Sequence, residues 1–322
     1  MITCKFGGSC TVQERAIKNI KKIKKNSNER KIFVFSAIGK SDDSDTKVTD
    51  LLIELSHKNE NYQKAKNQII KKFEKLCQIT KSKIDPKAEF EKYEKIFLKT
   101  NDQNFLISRG EFLTTKIMAQ YLKIKFIPAE NVLFFEKNQI NEQKTQKKLN
   151  FLLKKHKKIA ICGFYGINEE NKITLFSRGG GDVSGAYFAK FSKSNVYENW
   201  TDVNGIFQVN PKYFESNTIS KMCYYDLKII SSHDGKVVHQ DCADILKNTN
   251  ITLCVRNIFS LSAKKTLISD NFKSSYGYVT CKQNGENFEI LTKHQNGEIE
   301  IFFAKPNYLL PLLKSQYEKI KD

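Results

Sequence analysis

Apolar residues follow two patterns along the chain. Continuous apolar runs, such as residues 31–39 (KIFVFSAIG) and 158–166 (KIAICGFYG), are typical of strands buried on both faces of a parallel sheet. Segments between such runs, such as residues 11–23, carry apolar residues three or four positions apart, which predicts amphipathic helices. Strands alternating with helices predict an α/β fold, a three-layer αβα sandwich with a mostly parallel central sheet.

The middle and the end of the chain depart from this alternation. Residues 46–100 are lysine-rich and nearly free of glycine and proline, which predicts two or three helices that project from the sheet. The following helix spans residues 104–122, with Asn104 or Ser108 as its N-cap. A boundary near residue 265 separates a domain of residues 1–265 from a short α+β extension of residues 266–322, which contains strands and a helix from Tyr308.

Composition narrows the class of protein. The 322 residues include 54 basic and 35 acidic side chains, giving a formal charge of +19, but only five of the basic residues are arginine. Nucleic-acid sites favour arginine clusters with aromatic neighbours, and the sequence contains no such cluster. We therefore expect the positive charge to attract small anionic substrates, with no nucleic-acid partner.

Neither a membrane nor an oxidising compartment is indicated. No apolar run approaches the roughly 20 residues that span a bilayer, and the N-terminus lacks a signal-peptide pattern. The eight cysteines form no C-x-x-C pair, which favours reduced thiols over disulfides or a zinc site. We expect a cytoplasmic protein.

Two glycine-rich turns carry candidate chemistry. In KFGGSC, a strand ends at Lys5 and bare backbone amides open a helix, a suitable site for phosphate oxygens, although such turns also serve purely structural roles. In FSRGGGD (residues 176–182), Arg178 offers a fork for a carboxylate and Asp182 begins a helix. The alternative for Asp182 is an ordinary helix N-cap.

A third segment, residues 199–212 (NWTDVNGIFQVNPK), combines polar residues with glycine and proline after a strand. Irregular connections of this length are commonly functional. This segment is therefore a candidate binding loop.

In chain order, the motifs KFGGSC, SAIGK, SRGE, SRGGGD, WTDVNG, NPK and GKVVHQ resemble those of the aspartate kinases of the amino-acid-kinase family. The resemblance runs from residue 3 to about residue 268 and implies the amino-acid-kinase fold for residues 1–265. For residues 266–322 it suggests at most a remnant of an ACT-like regulatory element. It therefore implies weak or absent feedback inhibition by lysine or threonine.

The resemblance also implies a role for individual residues. Lys5 and Asp182 would be catalytic. Substrate would be bound by Ser36, Glu111, Arg178 and Gly181. ATP would be bound by Gly7, Gly8, Ser9, Thr201, Asp202, Phe207, Lys212 and Lys236. It implies ATP as co-substrate and Mg²⁺ as cofactor, and the metal ligands are not assigned.

The implied reaction transfers the γ-phosphoryl group of ATP to the β-carboxylate of L-aspartate, giving 4-phospho-L-aspartate in the first step of lysine, threonine and methionine biosynthesis. An aspartate side chain, with a reference pKa of about 3.9, is already ionised at neutral pH, so the reaction needs no general base. Alignment and positive charge are what the transfer requires. A homodimer is compatible with the resemblance.

Four motifs depart from the family pattern, at five positions: Gly181 and Cys10 replace serines, Asn210 and Lys212 replace the Asp and Arg of D-P-R, and Gln240 replaces a proline. Gly181 removes a hydroxyl and enlarges the substrate side. Two alternatives therefore stay open: a relative that acts on another small carboxylate, and a nucleotide-binding subunit with weak catalytic activity.

Overall fold

The computed structural model describes residues 1–177, 179–235, 237–273 and 276–321. The chain divides into two compact units, Met1–Asp202 and Val203–Asp322. None of the helices in the described part of the chain has the length and apolar character that a membrane span requires.

The first unit contains the elements of an α/β fold. Its strands are β1 (Ile2–Phe6), β2 (Arg30–Phe35), β3 (Lys125–Ile127), β4 (Phe135–Glu136), β5 (Gln139–Ile140), β6 (Ile159–Cys162), β7 (Tyr165–Ile167), β8 (Ile173–Leu175) and β9 (Val196–Thr201). Its α-helices are α1 (Glu14–Lys25), α2 (Val48–Ser56), α3 (Tyr62–Thr80), α4 (Pro86–Thr100), α5 (Gln103–Leu122), α6 (Glu142–Lys155) and α7 (Gly180–Phe191).

A parallel sheet with the order β9-β1-β2-β6-β3 forms the middle layer of this unit. Helices α6 and α7 cover one face, where Leu149, Phe188 and Phe191 pack against Ile32, Val34 and Ile161. Helix α5 contacts β2, β3 and β6, and the helices α2, α3 and α4 pack against α5. The predicted three-layer αβα sandwich with a parallel central sheet is therefore confirmed.

The predicted end of one strand and the predicted start of one helix are wrong. Strand β2 ends at Phe35, because the next residues leave the sheet to form a loop whose Ala37 amide binds a side chain of α5. Helix α5 is capped by Asp102, whose carboxylate accepts a hydrogen bond from the Phe105 amide, and not by Asn104 or Ser108. All three residues are good caps, so the sequence alone does not choose among them.

The second unit contains β10 (Ile206–Phe207), β11 (Thr218–Ile219), β12 (Lys221–Met222), β13 (Thr252–Asn257), β14 (Thr266–Ile268), β15 (Tyr278–Asn284), β16 (Asn287–Lys293) and β17 (Ile299–Ala304), with helices α8 (Tyr224–Ser232), α9 (Asp241–Leu246) and α10 (Pro306–Ile320). Strands β15, β16 and β17 form an antiparallel sheet, which packs against α10 through Ile290, Leu313 and Tyr317. Strand β14 pairs with β12 and β13 on the other side of the predicted boundary, so residues 266–268 belong to the sheet of the preceding segment. The boundary near residue 265 stays a prediction.

In the first unit, two loops that leave neighbouring strands meet at a pair of glycines. The Gly39 amide donates a hydrogen bond to the Gly8 carbonyl at 3.0 Å. A Cβ on Gly39 would lie 2.6 Å from the Gly8 carbonyl carbon and 2.8 Å from the Ser9 nitrogen. Since both atoms belong to the backbone, no side-chain rotation relieves this clash.

We expect Gly39→Ala to lower the free energy of unfolding by about 1–3 kcal/mol, because the added methyl group must push two loops apart. Urea unfolding measures this loss. Gly7→Ala is the matched control, since its Cβ would approach no atom closer than 3.4 Å. Equal stability of the two variants would show that the loops do not touch in solution.

Candidate functional site

A cleft of about 970 Å³ opens in the first unit where β1, β2 and β9 end and α7 begins. The carboxyl ends of parallel strands are the usual position for ligands in α/β proteins. Ten of the predicted site residues line this cleft: Lys5, Gly7, Gly8, Ser9, Ser36, Glu111, Gly181, Asp182, Thr201 and Asp202. Residues up to 197 positions apart along the chain therefore meet in one place.

An ion pair lies on the floor of the cleft. The Lys5 ammonium, near the end of β1, is 2.6 Å from Oδ1 of Asp182 in the first turn of α7. The same carboxylate oxygen accepts a hydrogen bond from Nδ2 of Asn199 on β9, at 3.0 Å. Lys5 is only 8% exposed, so its charge is held in one place and little of it is screened by water.

Glu111 supplies a buried carboxylate to the cleft wall. It lies on α5 and is 3% exposed; its Oε1 accepts a hydrogen bond from the Ala37 amide at 3.1 Å. Its Oε2 is buried and has no hydrogen-bond partner among the described residues. Burial raises the pKa of Glu111 to about 8, although the Ala37 amide and Arg109 act in the opposite direction. A cationic ligand group would satisfy Oε2 and favour the ionised form.

Gly181 faces Ser36 across the cleft floor. A Cβ on Gly181 would lie 2.6 Å from the Ser36 hydroxyl oxygen and 3.6 Å from Cε of Lys5. The Ser36 hydroxyl therefore fills the space that a side chain at position 181 would need. The expectation that Gly181 enlarges this side of the cleft is wrong for this reason.

Cys10 follows the first glycine turn and plays a structural part. It is fully buried, and its thiol donates a hydrogen bond to the Trp200 carbonyl at 3.2 Å. Burial raises the pKa of the Cys10 thiol to about 12, although nearby Lys5 opposes this. A thiol with such a pKa is not a nucleophile at neutral pH.

Phe207 and Lys212 belong to the second unit. Phe207 lines a cavity of about 220 Å³ in that unit, together with Asp234 and Thr280. Lys212 lies 3.8 Å from Asp234, and its side chain is 55% exposed. Arg178 and Lys236 lie outside the described residues.

Two groups of the site are not identified by any of the sequence motifs. The Ala37 amide is a backbone group, which no motif identifies. Asn199 was included only as the first residue of a candidate loop, yet it is a fully buried polar residue on β9. The sequence signal for Asn199 was a polar residue within an apolar strand pattern. Such a residue suggests a specific role, because a buried amide needs hydrogen-bond partners.

Carboxylates line the cleft without forming a recognisable metal centre. Within residues 1–177, 179–235, 237–273 and 276–321, no three His, Cys, Asp or Glu side chains come together in a way that could hold a metal ion.

Comparison with known proteins finds relatives whose names include the word aspartokinase. Aspartokinase 3 of Bacillus subtilis is 27% identical over 298 residues, which cover 87% of this chain and 66% of the relative. A chloroplastic bifunctional aspartokinase/homoserine dehydrogenase of Daucus carota is 25% identical over 298 residues, covering 82% of this chain and 32% of the relative. The chain thus spans from about a third to just under two thirds of the length of these relatives.

Solved structures agree on the fold. The crystal structure of Clostridium acetobutylicum aspartate kinase matches with a TM-score of 0.76 and 29% identity, over 85% of this chain and 64% of that one. Escherichia coli aspartokinase III, in complex with aspartate and ADP, matches with a TM-score of 0.72 and 17% identity, over 91% of this chain and 70% of that one. At that identity the second match supports the fold alone.

The model of the Amino acid kinase family matches residues 1–257, a segment that contains the whole lining of the cleft. This match covers well over half of the 322 residues. The chain therefore belongs to the amino acid kinase family.

Proposed function

We propose that this protein is an aspartate kinase, which transfers the γ-phosphoryl group of ATP to the side-chain carboxylate of L-aspartate. The observation that carries the proposal is the joint presence, in one cleft, of the Lys5–Asp182 ion pair, two glycine loops and the buried carboxylate of Glu111. The names of the matched relatives support the same activity.

Transfer to a carboxylate makes few chemical demands on the protein. The acceptor is ionised at neutral pH and attacks the γ-phosphorus without a general base. Negative charge spreads over the phosphoryl oxygens in the transition state, and the Lys5 ammonium can stabilise it. Asp182 and Asn199 hold that ammonium in place, which makes them positioning residues in this mechanism.

L-aspartate carries an ammonium group and carboxylates, so its site needs both a negatively charged group and hydrogen-bond donors or positive charge. The unpartnered Oε2 of Glu111 suits the ammonium group of L-aspartate, because a buried carboxylate binds a cation strongly. The Ser36 hydroxyl and the backbone of the first glycine turn offer hydrogen-bond donors to anionic oxygens. Arg178 is proposed to bind a carboxylate of the acceptor, as the motif implies.

ATP is proposed to enter as its Mg²⁺ complex. Mg²⁺ is commonly held largely by substrate phosphates, with water and one or two carboxylates, and neutralises charge on the β- and γ-phosphates. Thr201 and Asp202 at the cleft edge, with Phe207, Lys212 and Lys236, are proposed as the ATP contacts. Since both substrates are cytoplasmic metabolites, we also propose that the protein acts in the cytoplasm.

Hydroxylamine trapping of the acyl phosphate tests this function. With ATP present, we expect hydroxamate from L-aspartate and none above background from N-acetylglutamate, because N-acetylglutamate lacks the ammonium group that Glu111 is proposed to bind. Product from N-acetylglutamate in place of aspartate would reject the proposed acceptor.

The contact between Ser36 and Gly181 gives a prediction about the acceptor. Ser36→Ala is expected to raise the KM for aspartate about tenfold, since it removes a hydrogen bond to a charged ligand. The double variant Ser36→Ala/Gly181→Ser places a hydroxyl in nearly the same position, so its KM should return to within about threefold of the original value. Steady-state kinetics at saturating ATP measures both effects. A double variant no better than Ser36→Ala would contradict the shared position.

A further inference from the structure

Lys72 lies on α3, within the helices that project from the sheet, and reaches the loop of residues 36–47, most of which lines the cleft. Its Nζ lies 2.5 Å from Oδ2 of Asp45 and donates a hydrogen bond to the Gly39 carbonyl at 3.1 Å. The Lys72 side chain is 14% exposed, whereas Lys71 and Lys75 on the same helix are exposed. Withdrawing an ammonium from water costs free energy unless partners replace the water, and these two partners do so.

Asp45 organises the loop of residues 36–47. Its carboxylate accepts hydrogen bonds from the Ser41 amide at 2.7 Å, the Ser41 hydroxyl at 3.0 Å and the Thr46 amide at 2.8 Å. Burial disfavours its charge, yet the hydrogen bonds from Lys72 and Ser41 lower the pKa of Asp45 to about 2. The carboxylate is therefore ionised at any physiological pH and can hold Lys72 throughout.

Gly39 links this pair to the phosphate-binding turn. Its amide donates to the Gly8 carbonyl at 3.0 Å, while its carbonyl accepts from Lys72. Gly39 is thus fixed on both sides, by β1's glycine turn and by α3. Gly8, Gly39 and residues 40–43 all line the cleft, so a shift of Gly39 would change the cleft wall.

We infer that Lys72 is a positioning residue that holds the loop of residues 36–47 against the glycine turn at Gly7 and Gly8. It acts through Asp45 and Gly39 and does not itself contact substrate. The expected effect on the rate rests on the proposed kinase function, whereas the effect on the loop does not.

Amide hydrogen exchange measured by mass spectrometry tests the effect on the loop. Lys72→Met keeps the length of the side chain but removes its charge and donors. We expect amides of residues 36–47 to exchange at least tenfold faster in this variant than in the unaltered protein, with the central strands unchanged. Lys75→Met is the matched control on the exposed side of α3 and should exchange like the unaltered protein. Unchanged exchange of the loop in Lys72→Met would overturn the inference.

Kinetics tests the effect on the rate. We expect Lys72→Met to lower kcat about tenfold with each KM within threefold, because misplaced phosphate-binding groups lose most in the transition state. Lys72→Arg should recover most of the rate, because it restores a cation beside Asp45 and Gly39. A kcat loss that merely matches a loss of folded protein would overturn the inference. If the unaltered protein phosphorylates no aspartate, the proposed function fails, and hydrogen exchange alone decides the role of Lys72.

Discussion

Replacing Lys5 by alanine is expected to lower kcat about a thousandfold, or ~4 kcal/mol in activation free energy, while the KM values change far less. The reason is that the Lys5 ammonium lies on the floor of the cleft, almost fully buried, where its charge can meet the transferring phosphoryl group. In the ground state, ATP retains its other contacts. Steady-state kinetics at saturating substrates measures the loss.

Lys5→Ala also removes an ion-pair partner of Asp182, so some stability is lost with the activity. The double variant Lys5→Ala/Asp182→Asn removes the charge of the carboxylate as well and should recover stability without recovering the rate. Lys25→Ala, an exposed lysine on α1, controls for the loss of charge alone. A double variant that regained activity together with stability would remove Lys5 from the chemistry.

Replacing Glu111 by glutamine is expected to raise the KM for aspartate about a hundredfold, which corresponds to ~2.7 kcal/mol. Glutamine has nearly the same shape, so it keeps the contact with the Ala37 amide but cannot offer a charge to the substrate ammonium. The KM for ATP should change little. Glu91→Gln, an exposed position on α4, is the matched control.

The same residue predicts a pH dependence. Because burial raises the pKa of Glu111 to about 8, the empty site holds a proton at neutral pH, and binding of the substrate ammonium must release it. The KM for aspartate should therefore fall about fifteenfold as the pH rises from 6.5 to 8, most steeply at the lower end of this range. In Glu111→Gln this dependence should disappear. A KM that is equally steep in pH for both proteins would assign the titration to another group.

The raised pKa also affects stability. In the unfolded chain the carboxyl has its ordinary pKa, so between about pH 4.5 and 8 the folded protein binds a proton that the unfolded protein does not. The contribution of Glu111 to stability is therefore lost as the pH rises across this window. Glu111→Gln removes this loss and should flatten the dependence of the unfolding midpoint on pH.

The layers of the first unit could be predicted because local patterns determine them. Apolar runs such as those of β2 and β6 have few alternatives to a buried parallel strand, and the periodic segments between them have few alternatives to helices. The ends of elements were harder to predict. Asp102, Asn104 and Ser108 are all suitable caps, and the helix begins after the first of them.

The parts of the site that could not be predicted from the sequence depend on contacts between residues that are far apart along the chain. Ser36 and Gly181 are 145 positions apart, and only the topology of the sheet shows that one fills the space beside the other. Asn199 and Asp182 lie on different elements, so their hydrogen bond could not be read from spacing. Lys72 is one of several lysines on α3, and the sequence does not distinguish it from the others. Only the structure shows its short contact with Asp45.

Phosphoryl transfer to the side-chain carboxylate of aspartate can be followed by ³¹P NMR of a reaction with ATP and L-aspartate. We expect an acyl-phosphate signal that grows in step with ADP, requires aspartate, and is absent with Lys5→Ala. ADP that appears with inorganic phosphate alone, or an acyl phosphate that forms without aspartate, would rule out the proposed transfer.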